Sequence, residues 1–295
     1  EEEYSKTLNI YRKLAENNPD VFLPDIARNL VNVANYHKQS LKHDLAEKEY
    51  NEALDVYHKL AEKNSAVFLP FVAMNLVNLA NLHRISHKYD LAVEEYDKSL
   101  AIYRQLAEQH PTIFLSDVAL SLGNLAFLHD DLHKYDLAEK EYSDVIELYG
   151  KLAEDNLYEF LPKMASYLDN ISSLHNDLHK KDLAEKEYFE AIEIYRQLAE
   201  NNPNKFLPDV ALYLGRYAIL HSNLDNYDLA EKEFNDSLTI YRKLANVNPS
   251  TFLPDVARSL RNLAIMHEDL EQYDLAEEGY KEALAIYRQL ADTNQ

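Results

Sequence analysis

The chain has 295 residues, with 51 acidic side chains against 30 Lys plus Arg, a formal charge of -21, and neither cysteine nor tryptophan. That charge repels phosphate backbones and anionic lipid faces, so neither nucleic acid nor a membrane is an expected partner. Without cysteine there is no disulfide, thiolate metal site, iron–sulfur cluster or cysteine nucleophile, and the redox compartment stays open. No apolar run approaches the roughly 20 residues that span a bilayer. The amino terminus, Glu1-Glu2-Glu3-Tyr4, has neither an initiator Met nor a signal-peptide pattern, as expected of an excised piece.

From the amino terminus, residues 1–19 read as a partial unit, in which Glu1 to about Glu16 matches only the second helix of a full unit. Residues 20–295 read as six tandem units of 46 residues forming one array. Phe-Leu-Pro begins at Phe22, Phe68, Phe160, Phe206 and Phe252, with Phe-Leu-Ser at Phe114, and Asp-Leu-Ala keeps the same step from Asp44 to Asp274. Self-similarity at this period marks stacked supersecondary units without a single globular core.

The last unit serves as template. Val256, Leu260, Leu263, Ala264 and His267 fall at helical spacing, so the first helix, A, is expected from Asp255 to about Leu270. Pro254 marks its start or a kink near it. Asp274 with Glu277 three positions on has the form of a capping box. The second helix, B, comes next, from about Leu275 to Ala291, burying Ala276, Tyr280, Ala283, Leu284, Tyr287 and Leu290. Asn-Pro, or a relic of it, ends each helix B, giving thirteen expected helices.

Leu260-x-x-Leu263-Ala264-x-x-His267, then Tyr273-Asp274-x-Ala276-x-x-x-Tyr280-x-x-Ala283, resembles the tetratricopeptide repeat along the whole chain. The usual period is 34 residues, and the extra length, about 12 residues, resembles the long repeats of the kinesin light chain type and of bacterial multi-repeat proteins. The resemblance implies an all-α fold, a right-handed superhelical solenoid of stacked antiparallel helix pairs with helix A lining the concave face. It also implies a peptide or protein interaction module, the sensor or scaffold part of a larger protein.

Slots that repeat read mostly as packing. Leu30, Leu76, Leu122, Leu168, Leu214 and Leu260 share one helix A position, and seven tyrosines from Tyr11 to Tyr287 share one on helix B. His37, His83, His129, His175, His221 and His267 form a third ladder. Helices stack about 8–10 Å apart, whereas zinc ligands lie about 2.0–2.1 Å from the ion, so the ladder reads as half-buried, hydrogen-bonded structure and no metal site is assigned. In the pairs His83/His87, His129/His133 and His175/His179 the second imidazole falls where helix A ends, a place the helix dipole favours for a cation.

The candidate partner-binding ladder is Asn32, Asn78, Asn124, Asn170 and Asn262, interrupted by Arg216. By resemblance this slot faces the groove, where one amide offers a donor and an acceptor to a peptide unit. The alternative is that Asn bonds the adjacent repeat and shapes the stack. The family's groove positions add Arg28, Asn35, Lys38, Asn81, Arg84, Phe127, Asp131 and Asp169: basic at one end, apolar around Phe127 and acidic in the middle. The expected partner is a protein or extended peptide of mixed charge, with no cofactor. No nucleophile–base pair, phosphate loop or zincin motif points to an enzyme. The alternative function is a structural array stacking end to end, so the chain is expected as a monomer or a weak end-to-end oligomer.

Overall fold

A computed structural model describes residues 2–293, which form thirteen α-helices and no strand. They are α1 Glu2–Asn17, α2 Pro19–Gln39, α3 His43–Lys63, α4 Ser65–Ile85, α5 Tyr89–Gln109, α6 Pro111–Asp131 and α7 Tyr135–Asp155. Next come α8 Leu157–Asp177, α9 Lys181–Asn201, α10 Pro203–Asn223, α11 Tyr227–Val247, α12 Pro249–Asp269 and α13 Tyr273–Thr293. Even-numbered helices are the A helices and odd-numbered ones the B helices, with α1 as the unpaired B helix expected for residues 1–16. The chain divides into two compact units, Glu1–Leu152 and Ala153–Gln295. In the first, α1 to α6 each pack on the next; in the second, α8 to α13 do so. The fold is an all-α solenoid of helix pairs.

Single residues separate B from A. Asn64 closes α3, with its N–H donating to the Leu60 carbonyl at 2.9 Å, and opens α4, with its side chain accepting from the Val67 N–H at 3.4 Å. Pro19, Pro111, Pro203 and Pro249 then stand first in their helices, where no intrahelical N–H bond is lost. Helix A therefore starts at Pro249 and not at the expected Asp255. Pro254 lies inside α12, and its missing N–H costs less than the early start returns, because Phe252 and Leu253 gain contact with the core.

The capping box is not formed. At α3, α5 and α9 the cap position falls to Lys42, Lys88 and Lys180 with no side-chain cap bond, so Asp44, Asp90 and Asp182 sit inside the first turn. They act there on the helix dipole. In the template unit α13 starts at Tyr273, which likewise places Asp274 inside, and Glu277 pairs with Lys281 at 2.6 Å.

The cause is the A-to-B turn. The Lys42 N–H donates to the His37 carbonyl at 2.9 Å and the Leu41 N–H to Lys38 at 3.1 Å, a Schellman closure. It puts Leu41, His87, His133, His179, Asp225 and Glu271 at φ 58–61°, the left-handed region. Strain of about 1–3 kcal/mol at such a site outweighs the roughly 0.4–1 kcal/mol of chain entropy that glycine adds to the unfolded state. Leu41 is 80 % exposed and loses little packing. Leu41→Gly is expected to stabilise the chain by about 1 kcal/mol, seen as a higher melting temperature; an unchanged or lower one would show that the turn stores no strain.

The ladders pack as expected in the interior. Leu30, Leu76, Leu122, Leu168, Leu214 and Leu260 are all buried, as are Tyr57, Tyr103, Tyr149, Tyr195 and Tyr241. Ala27, Ala34, Ala46 and their equivalents let A and B backbones approach closely. In α13, however, Leu284 and Tyr287, expected in the buried stripe, are 48 % and 42 % exposed, because no further A helix covers them among the described residues. The apolar-run expectation also needs correction. By length and composition α4 and α6 are apolar enough to cross a membrane, although part of each is buried against its neighbours.

Candidate functional site

The asparagine ladder lies two residues beyond the core leucine on α2, α4, α6, α8 and α12. Leu30, Leu76, Leu122, Leu168 and Leu260 face inward, so the next position but one turns toward the rim of the buried stripe. Asn32 is exposed and Asn78, Asn124, Asn170 and Asn262 are half-buried. Among the described residues none of these five amides bonds another group of the chain. The alternative role, tying adjacent repeats together, is taken instead by Asn75, whose amide donates to the Tyr50 carbonyl at 2.7 Å.

In the second unit the ladder borders two cavities. One, about 420 Å³, is lined by Asp169, Asn170, Ser173 and Tyr188 with Arg216 and Ile219. The other, about 220 Å³, adds Leu212, Gly215, Arg258 and Asn262 to Arg216 and Ile219. A Cβ on Gly215 would meet only the Ser237 Oγ at 3.5 Å, so this glycine lines the second cavity without being forced by crowding. Arg216, in the asparagine slot, pairs with Asp169 and lies over the Tyr213 ring at 5.6 Å. Burial and the charge of Arg258 both lower its pKa.

The remaining candidates divide by what holds them. Asn35 and Asn81 accept the Tyr50 and Tyr96 hydroxyls at 2.6 and 2.8 Å. Arg28 pairs with Asp25, and Arg84 reaches Asp131 one repeat away at 3.5 Å. Phe127 is 40 % exposed and meets Tyr142 edge-on, with ring centroids 5.7 Å apart. Lys38 is half-buried, its pKa lowered by that burial, and it has no carboxylate partner among the described residues.

The sequence reading missed what anchors the histidine ladder. Nδ1 of His37, His83, His129, His175 and His221 lies 2.7–2.8 Å from Glu49, Glu95, Glu141, Glu187 and Glu233, each twelve residues on in the paired B helix. Nε2 of His83 also faces Glu47 at 3.3 Å. Burial pushes the Glu95 and Glu233 carboxyls up, against the hydrogen bonds to His83 and His221. Burial also raises Glu47, but its bonds to Lys88 and His83 more than offset this and leave it below the usual range. The recurrence of Glu at one slot in five of the six units was the available signal. The second imidazoles of the i, i+4 pairs turn elsewhere, His87 to Tyr89 at 2.7 Å and His133 to Tyr135 at 2.8 Å.

With this geometry in place, the comparisons are specific. The tetratricopeptide repeat family model matches residues 71–151 and 209–289, together more than half of the chain. BtubC (BKLC) from P. vanneervenii is similar in structure, with a TM-score of 0.64 at 18 % identity over 83 % of this chain and 91 % of that one. A Podosopora anserina putative kinesin light chain with nearly identical TPR-like repeats gives 0.53 at 16 % identity over 75 % and 97 %. The apo form of RapI gives 0.53 at 16 % over 98 % and 93 %. At such identities the likeness shows the fold. A search of curated proteins returns no match.

Proposed function

We propose, for a chain that belongs to the tetratricopeptide repeat family, that the A-helix face of each unit binds an extended segment of a partner protein. Folds of this kind are commonly protein-interaction scaffolds and are generally not catalytic. The observation that carries the reading is the asparagine ladder, five accessible amides that among the described residues use none of their donors or acceptors within the chain. A peptide backbone presents the matching pair, one C=O and one N–H per residue. Around the rungs, Lys38 supplies a cation, Phe127 an apolar contact, and Asp131 and Asp169 acidic groups that a basic side chain can share with Arg84 and Arg216. A segment of mixed charge fits that surface.

The test takes peptides selected from a random twelve-residue library on the intact protein. Each lost amide contact is worth about 1 kcal/mol, so Asn78→Ala/Asn124→Ala in the first unit, or Asn170→Ala/Asn262→Ala in the second, should weaken the peptides of that unit about thirtyfold with melting unchanged. Unaltered affinity in both pairs, or no selected peptide at all, refutes the reading.

A second reading, end-to-end association, rests on Tyr287 and Leu284: the interior equivalents of Tyr287 are all buried, and those of Leu284 are buried or half-buried. Light scattering over a concentration series should then show growth that Leu284→Asp/Tyr287→Asp abolishes. A monomer at every concentration contradicts it.

A further inference from the structure

In five units a buried imidazole holds a carboxylate through Nδ1; in the sixth the carboxylate is missing. The position twelve residues beyond His267 is Gly279, where the other units have Glu49, Glu95, Glu141, Glu187 and Glu233. His267 is only 6 % exposed, and no hydrogen bond to its ring is made among the described residues. Its Nε2 lies 3.6 Å from Glu231, the relation that His83 has to Glu47 at 3.3 Å and His221 to Glu185 at 3.9 Å. The ring is thus oriented as in those units, and Nδ1 faces the slot that Gly279 leaves empty. A cavity of about 190 Å³ occupies that place between α11, α12 and α13, lined by His267, Leu263, Ala264, Leu275 and Gly279.

We propose that this cavity is a receptor site for a carboxylate, taken from outside the chain and bound by His267 Nδ1. The molecule supplies the template: the same imidazole in the same surroundings binds a carboxylate at 2.7–2.8 Å five times over. Acidic neighbours do not exclude it, because His83 is bracketed by Glu47 and Glu95 at once. The groups facing the site are Glu231 and Arg242 of α11 and Glu278 and Glu282 of α13, with Arg242 bonded to Glu282 at 2.7 Å. The chain cannot easily fill the slot itself. A Cβ on Gly279 would stand 3.0 Å from the Ala264 Cβ and 3.4 Å from the Leu260 carbonyl, so α13 packs too close for a side chain there without shifting. The apolar walls suit a short aliphatic stem behind the carboxylate, whether a free small acid or the Glu side chain of a partner. This site is separate from the A-helix face and does not depend on that reading.

Propionate, the Glu side chain without its backbone, is the probe, titrated into the whole chain while the imidazole nitrogens are followed by NMR. One imidazole of the six in the ladder, identified as His267 by its absence in His267→Gln, is expected to shift saturably with propionate concentration. Ala264→Gly/Gly279→Asp, which removes the Cβ that a side chain at 279 would meet and supplies a carboxylate from within, should abolish the response, and the Ala264→Gly, Asn78→Ala/Asn124→Ala and Asn170→Ala/Asn262→Ala proteins should keep it. A Glu-containing peptide that moves His267 where propionate does not, and whose Gln counterpart is silent, assigns the site to a partner side chain. If neither probe moves His267, or if all six imidazoles drift together without saturation, the proposal fails. Should His267→Gln not fold, the Ala264→Gly/Gly279→Asp protein decides, measured against Ala264→Gly.

Discussion

Raising the pH above 10 is expected to unfold the chain cooperatively. Burial holds the Tyr50, Tyr96, Tyr167 and Tyr241 hydroxyls up at about 12, against an ordinary value of 10.0. Tyr103 and Tyr213 are pushed in the same direction by the same cause. A phenol whose folded pKa is raised contributes stability that is complete below the unfolded value and is lost as pH climbs through the folded one. Several buried phenols that lose this contribution together draw on the roughly 5–15 kcal/mol that holds a typical domain. The part of the tyrosinate absorbance that belongs to the buried hydroxyls should therefore appear together with the loss of helical circular dichroism in one step between pH 10 and 12. Titration of these hydroxyls with helicity retained would mean that they are solvated in the fold.

The second large effect concerns the histidine–glutamate pairs. Glu95 is 9 % exposed and His83 3 %, so His83→Leu strands a buried carboxylate at a cost of about 3–5 kcal/mol at neutral pH. Glu47 loses the same imidazole but keeps Lys88. The double variant His83→Leu/Glu95→Leu removes the stranded charge with its partner and should recover most of the loss. Denaturant midpoints of the two proteins check this. A single variant costing less than about 1 kcal/mol, the range of an exposed pair, or a double variant no better than the single, would show that the pairs are not buried interactions.

The legible parts were those written identically in every unit. The leucine and tyrosine ladders announce their burial because one slot holds one residue type at each beat, and the helix count comes from the same recurrence. Helix starts were less legible: Phe-Leu-Pro looks like a beginning, yet Asn248-Pro249 already supplies one, and Pro254 is carried inside α12. Asp274 resembles a cap, but the Schellman turn hands that role to the residue ahead of the helix. At the candidate site the asparagine ladder was readable as a slot, whereas the ties of its neighbours were not. Arg84 meets Asp131 and Arg216 meets Asp169 across the stack, at separations set by how repeats lean on one another rather than by helical periodicity. Gly279 was legible only in part. Its place as the break in a glutamate recurrence is written in the sequence, but its meaning comes from the hydrogen bonds that the other five glutamates make.

The most direct measurement of the central claim is an NMR titration of the intact chain with one selected peptide, tracking the side-chain amide resonances of the asparagines. The amides of Asn78 with Asn124, on consecutive rungs, or of Asn170 with Asn262, on either side of Arg216, are predicted to shift together and saturate with the binding isotherm, while the exposed face of the B helices stays unmoved. Saturable binding that perturbs the B-helix face and leaves every rung of the ladder unchanged would contradict it.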